Sequence, residues 1–186
     1  MADPRGEWDS STNPGIVEKR IGRPVYNMLI IQLFILLFLA NGTPVIARKI
    51  FAERFAWPLD GGIRFVDDQP LLGDSKTIRG LLFSVLVTAA GGALLGLGWK
   101  AGALIGAVSM AGDLFSSFIK RRMKLPPSSR AVGLDQVPEA LFPLLVCQGM
   151  LGLGVGEIAT VVVMFFLGDV IFSPLFYKLK IRKRPY

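Results

Sequence analysis

The chain has 186 residues, 52% of them hydrophobic, and a formal net charge of +7, with a mean hydropathy of +0.50. It has no histidine, and Cys147 is the only cysteine. This composition excludes a histidine general base, Ser-His and Cys-His nucleophiles, a disulfide framework and a thiolate metal site.

Residues 1–24 open with MADPRGEWDSSTNPG, polar and rich in turn formers, which predicts a loose tail. Five apolar runs follow, at 26–47, 81–99, 101–119, 137–153 and 157–177. Each approaches the roughly 20 residues that cross a hydrocarbon core. The fourth is the shortest and carries Pro138 and Pro143. The first begins too late and runs too long for a cleaved signal peptide. The expected fold is an all-α integral membrane protein of about five transmembrane helices with two functional cytoplasmic loops. Residues 25–178 would form a single catalytic domain, with a basic tail over 179–186.

The cations alternate from loop to loop. Arg48, Lys49, Arg54, Arg64, Lys76 and Arg79 follow the first run, and Lys120, Arg121, Arg122, Lys124 and Arg130 follow the third. The tail adds Lys178, Lys180, Arg182, Lys183 and Arg184, whereas the two opposite turns hold only Lys100. By the positive-inside rule the N-terminus is outside, and the C-terminus and the long loops are cytoplasmic. Lys19, Arg20 and Arg23 oppose this and are outnumbered. No nucleic acid is expected as a partner, because the cations hug membrane ends without an aromatic-interleaved basic domain. Anionic headgroups or phosphorylated substrates fit better.

Polar groups recur at one depth, towards the inner end. The first run carries Asn41-Gly42-Thr43-Pro44 and the fifth carries Asp169, which could equally pair with a neighbour. The loop over 48–77 exceeds what a connector needs. It ends in GDSKTIRG, bringing Gly73, Asp74, Ser75, Lys76, Thr77 and Arg79 to a helix start. The spacing is not that of a phosphate loop. It nevertheless supplies freed backbone, hydroxyls and two cations where the helix dipole favours anions. A capped helix start with ordinary inner-face charges would use the same residues. The pairs Gly92-x-x-x-Gly96 and Gly102-x-x-x-Gly106 predict close helix packing and nothing more.

The third run ends in GDLFSSFIKRR. At about 100° per residue, Asp113, Ser116, Ser117, Lys120 and Lys124 share one stripe. An aspartate near the middle of a span costs roughly 2.5–3.5 kcal/mol on insertion scales. A helix–helix contact would explain the stripe, but its order, acid deep and cations shallow, favours a site. Asp135, in Gly133-Leu134-Asp135-Gln136, adds an acid on the same side. Two acids, clustered cations and glycine-rich loops without a histidine point to polyphosphate chemistry with Mg²⁺, which binds through one or two carboxylates plus substrate phosphates.

At these residues the sequence resembles the CTP-dependent cytidylyltransferases of membrane lipid synthesis. Ser117-Phe118-Ile119-Lys120-Arg121 matches the family's Ser-x-x-Lys-Arg, and Asp135 takes the place of its later acid. NGTP, GDSKTIRG, GDLFSSFIKRR and LDQ together look most like the archaeal branch, the CDP-archaeol synthases. The bacterial signature continues with Lys-Asp and a His-Gly-Gly, where this chain has Asp135-Gln136 and no histidine. The resemblance implies that CTP and an unsaturated isoprenoid diether glycerol phosphate give the CDP-lipid and pyrophosphate, with Mg²⁺. It implies metal on Asp113 and Asp135, and phosphates on Lys76, Arg79, Lys120 and Arg121. Asn41, Ser116, Ser117 and the segment 73–77 would line the CTP site. A small anion transporter or channel, and a CTP-dependent polyprenol kinase, are the rival readings.

Overall fold

A computed structural model describes residues 14–178 except 53, 128 and 130, with side chains from 27 to 172. The residues of the expected tails at 1–13 and 179–186 therefore lie outside the described residues, as do Arg130 and the side chains of Lys19, Arg20, Arg23 and Lys178. Five helices run α1 (Pro14–Phe51), α2 (Ile78–Leu94), α3 (Trp99–Arg122), α4 (Gln136–Leu151) and α5 (Val155–Lys178). Helix α1 starts at Pro14, so it takes in residues 14–24 of the expected polar tail. Each helix packs on the next, and α5 returns to α1, which also touches α3. The ring closes on an apolar centre in which Leu33, Leu36, Leu37, Ile105, Leu144, Val161 and Phe165 are fully buried.

Two features let the helices approach. On α3, a Cβ added at Gly102 would sit 2.2 Å from the Thr88 carbonyl oxygen, and one at Gly106 would sit 1.9 Å from Thr88 Oγ1. Gly92 meets Gly102 in the same way, so this crossing is backbone on backbone. Gly96, expected to share that face, instead lies past the end of α2 with φ +81°, in the turn that leads into α3. Second, Pro44 has no N–H for the Ala40 carbonyl one turn earlier. Ser84 Oγ on α2 donates to that carbonyl at 2.9 Å, so the proline becomes a docking point.

Segments Asn27–Phe51, Trp99–Arg122 and Val155–Phe172 are long and apolar enough to cross a membrane. Helix α2 has 17 residues and α4 has 16, about 25 Å each against a hydrocarbon core of about 30 Å. Both begin deep in the bundle. Lys76, two residues before α2, bonds Asp113, which lies nine residues before the end of α3, about 13 Å along its axis. The space that the short helices leave at this end is filled by loops 52–77 and 123–135.

Candidate active site

The first loop is held by Asp60, which accepts hydrogen bonds from Gly62 N at 3.0 Å, Leu72 N at 2.8 Å and Gly73 N at 3.1 Å. Burial pushes its carboxyl up, but these amides outweigh burial and hold it below the usual carboxylate range. The anchor is therefore intact at neutral pH and weakens only as pH falls through that depressed value. Leu59 N donates to the Lys76 carbonyl at 2.8 Å, and Ile78 N to that of Trp57 at 3.1 Å, so GDSKT is tied down on both sides. Thr77 then caps α2, its hydroxyl accepting from Gly80 N at 3.2 Å. Arg122 clips the same loop to α3: it pairs with Asp67 at 2.5 Å, donates to the Pro70 carbonyl at 2.7 Å and stacks between Phe65 and Phe118.

Within this frame the loop end of the bundle carries two lysine–aspartate pairs. Lys76 Nζ donates to Asp113 Oδ2 at 2.5 Å, each side chain about one-fifth to one-quarter exposed. Lys120 Nζ lies 2.6 Å from Asp135 Oδ1 but directs its hydrogen bond to the Ser129 carbonyl at 3.0 Å. Asp135 Oδ1 is thus in ionic contact yet buried without a hydrogen bond. Its other oxygen accepts from Ala131 N at 2.9 Å. A cavity of about 180 Å³ opens beside the first pair, bordered by Arg48, Asp74, Ser75, Lys76, Thr77 and Asp113.

The structure separates the expected site residues into two groups. Gly73, Asp74, Ser75, Lys76, Thr77, Asp113, Lys120 and Asp135 gather at the loop end around the two pairs. Ser116, Ser117, Arg79 and Arg121 are buried, and Ser116, Arg79 and Arg121 bond loop carbonyls. Ser116 Oγ donates to the Leu134 carbonyl at 2.6 Å and strapping the second loop is its visible work. Arg79 borders the cavity, but its guanidinium donates to the carbonyls of Ala52 and Arg54 at the end of α1. Arg121 donates to the Pro126 carbonyl at 3.0 Å beneath the contact of Gly73 with Pro127. Asn41 is half-buried on α1 and does not border the cavity. Lys124 lies beyond α3 with φ 57° and is exposed, so the polar stripe ends at Lys120.

Three further residues belong here. Glu139 on α4 is 4% exposed and interacts electrostatically with Asp113, Lys76, Asp169 and Asp135. Gly112 brings it close, since a Cβ there would sit 2.4 Å from the Pro138 carbonyl oxygen. Gln136 joins the second loop to α5, accepting from Gly133 N and donating to Asp169 Oδ2, both at 2.8 Å. Asp169 is therefore placed in a pair. An acid in an apolar run was the signal available for Glu139. Among the described residues no three acids or thiols converge into a ready metal cage. The donors present are carboxylate oxygens, one of them orphaned on Asp135, and this set suits a hard cation that completes its shell with phosphate.

The CarS-like family, described as CDP-archaeol synthase, matches residues 25–186. The chain belongs to the CDP-archaeol synthase family. It is 34% identical to the CDP-archaeol synthase of Sulfurisphaera tokodaii over 155 residues, covering 80% of this chain and 85% of that one. To the CDP-archaeol synthase of Pyrobaculum calidifontis it is 31% identical over 169 residues, covering 84% and 98%. A solved structure of an intramembrane enzyme for archaeal membrane lipids biosynthesis matches with a TM-score of 0.66 at 30% identity, over 76% of this chain and 90% of that one. The resemblance carried by the motifs is thereby shown, and with it the all-α membrane fold. As a CDP-archaeol synthase family member the chain is a membrane enzyme, a CTP-dependent nucleotidyltransferase of lipid biosynthesis.

Proposed function

We propose that the enzyme transfers the cytidylyl group of CTP to 2,3-bis-O-geranylgeranylglyceryl phosphate, giving the CDP-lipid and pyrophosphate. The observation that carries this reading is the pair of lysine–aspartate contacts at one end of an otherwise apolar bundle. Cytidylyl transfer brings two anions together, so the site must neutralise charge more than move protons. An oxygen of the lipid phosphate attacks the α-phosphorus of CTP, and the bond to the β-phosphate oxygen breaks. With a second pKa of about 6, the monoester is already ionised at neutral pH, which suits a chain without histidine. Mg²⁺ on Asp113 and Asp135 would supply charge neutralisation along the polyphosphate. Lys76 and Lys120 exchange their aspartate partners for phosphate oxygens, and the segment 73–77 holds its shape through Asp60. Among the described residues Leu33, Leu36, Leu37 and Phe165 form a fully buried apolar centre, which disfavours a channel.

The experiment compares acceptors: with CTP and Mg²⁺, the lipid phosphate should release pyrophosphate and the matching lipid alcohol should not. Release of CDP with the alcohol would establish the kinase instead. Lys120→Ala should raise the CTP KM or lower turnover by at least about tenfold, about 1.4 kcal/mol. Near wild-type kinetics would return Lys120 to ordinary inner-face duty.

We place this face in the cytoplasm, with the N-terminus outside and the C-terminus inside, on the clustering of Arg48, Lys49, Lys120 and Arg122 at the loop end. Val132 is 61% exposed on the second loop, and Cys147 is fully buried. In a background lacking Cys147, Val132→Cys should resist an impermeant maleimide in intact cells and react after lysis. Labelling in intact cells would invert the topology.

A further inference from the structure

Among the described cations that border the cavity, Arg48 is the one committed neither to a carboxylate nor to a loop carbonyl. Lys76 answers Asp113, Lys120 answers Asp135, Arg79 and Arg121 answer loop carbonyls, and Arg122 answers Asp67. Arg48 borders the cavity with Lys76 and Asp113, yet it has no hydrogen bond or ion pair with any described residue. Its neighbour Lys49 is equally exposed but stands about 100° around the helix and does not border the cavity. Beside its polar lining the cavity also presents apolar residues, among them Pro44, Ala52, Ala56, Pro58 and Leu114. Just outside it, the loop presents Phe55 and Trp57, 65% and 67% exposed and packed edge to face at 6.3 Å. Phe55 has φ 57°, a left-handed conformation that bulky residues rarely adopt. Exposed aromatic rings of this kind sit well at the headgroup level of a bilayer.

A nucleoside triphosphate has no use for an apolar wall beside its phosphates. An amphiphile with a terminal phosphate needs one, with a cation at its polar end. We propose that Arg48 binds the phosphate monoester of the lipid acceptor, whose glycerol and first chain carbons lie along Ala52, Ala56 and Pro58. This rests on the cytidylyl transfer proposed above and divides the site: Arg48 takes the acceptor, and the lysine pairs take the nucleotide. A guanidinium suits the role, because its planar fork grips a phosphate through two parallel hydrogen bonds.

The test uses the full-length purified enzyme and measures the two KM values separately, together with binding of 2,3-bis-O-geranylgeranylglyceryl phosphate without CTP. Arg48→Ala should raise the KM for the lipid phosphate at least tenfold and leave the CTP KM within twofold. Binding of the lipid phosphate should weaken in parallel, while the weak binding of the lipid alcohol stays the same. Arg48→Lys should fall between, keeping the charge without the fork, and it carries the test if the alanine variant fails to elute as a folded protein. Lys49→Ala should match wild type. A rise in the CTP KM instead, no change in either KM, or an equal loss in Lys49→Ala would overturn the assignment. So would displacement of the lipid phosphate by an equal amount of an anionic phosphodiester lipid. If wild type forms no CDP-lipid at all, the transfer reading fails, while the binding measurements still decide whether Arg48 holds a lipid phosphate.

Discussion

Asp113→Asn should lower turnover by at least about 100-fold, about 2.7 kcal/mol in transition-state stabilisation, while the protein extracts and elutes as wild type does. The substitution keeps the size of the side chain and its capacity to accept a hydrogen bond from Lys76 Nζ, which lies 2.5 Å away. Only the negative charge is lost. Were Asp113 simply a tie between α3 and the first loop, the change would be mild, since polar contacts between membrane helices average about 0.6 kcal/mol. A metal-binding role predicts the opposite: collapse of activity without collapse of structure, partly relieved by excess Mg²⁺. Asp135→Asn should also lose activity, but it is the less clean probe, because Asp135 also accepts from Ala131 N and so shapes the second loop. A folded Asp113→Asn enzyme with normal Mg²⁺-dependent activity would falsify the metal role.

The largest effect on stability is expected at Gly102→Val. Its Cβ would fall 2.2 Å from the Thr88 carbonyl oxygen and 3.0 Å from Ala89 Cα, both on the backbone of α2. Backbone cannot rotate aside as a side-chain tip can, so the helices must separate along the whole crossing. Overpacking of this kind costs about 1–3 kcal/mol or more, and about 3 kcal/mol corresponds to roughly 10 °C in a chain of this size. A thermal unfolding scan in detergent should show that drop, together with a poor yield of monodisperse protein. Gly42→Ala is the control, since a Cβ at Gly42 meets nothing within 4 Å. Equal melting temperatures for the two variants would show that the α2–α3 contact is looser than the structure has it.

The long helices were legible because three apolar segments carry enough length by themselves. The short ones were harder. Helix α2 stops at Leu94 because Gly96 and Gly98 take positive φ, conformations that two scattered glycines in an apolar run do not announce. The stripe on α3 pointed to the loop end of the bundle, but its periodicity could not say which residues a loop would cover. Ser116 and Arg121 turned out to bond carbonyls of the second loop, and Ser117 is buried beside them. Pairings such as Lys76 with Asp113, 37 residues apart, depend on how deep α2 begins, which is a tertiary fact. Glu139 lay hidden between two prolines in the shortest apolar run, although an acid there was as costly as Asp113. Arg48 was absorbed into the inner-face charge count, and only the cavity separates it from Lys49.

The account depends most directly on which phosphorus of CTP reaches the lipid. Purified enzyme should be given CTP labelled at the α- or the γ-phosphate, with Mg²⁺ and 2,3-bis-O-geranylgeranylglyceryl phosphate. The α-label should appear in the lipid product and the γ-label in pyrophosphate, in equal amounts and only when both substrates are present. A γ-label in the lipid, or CTP left unconsumed by a folded enzyme, would contradict it.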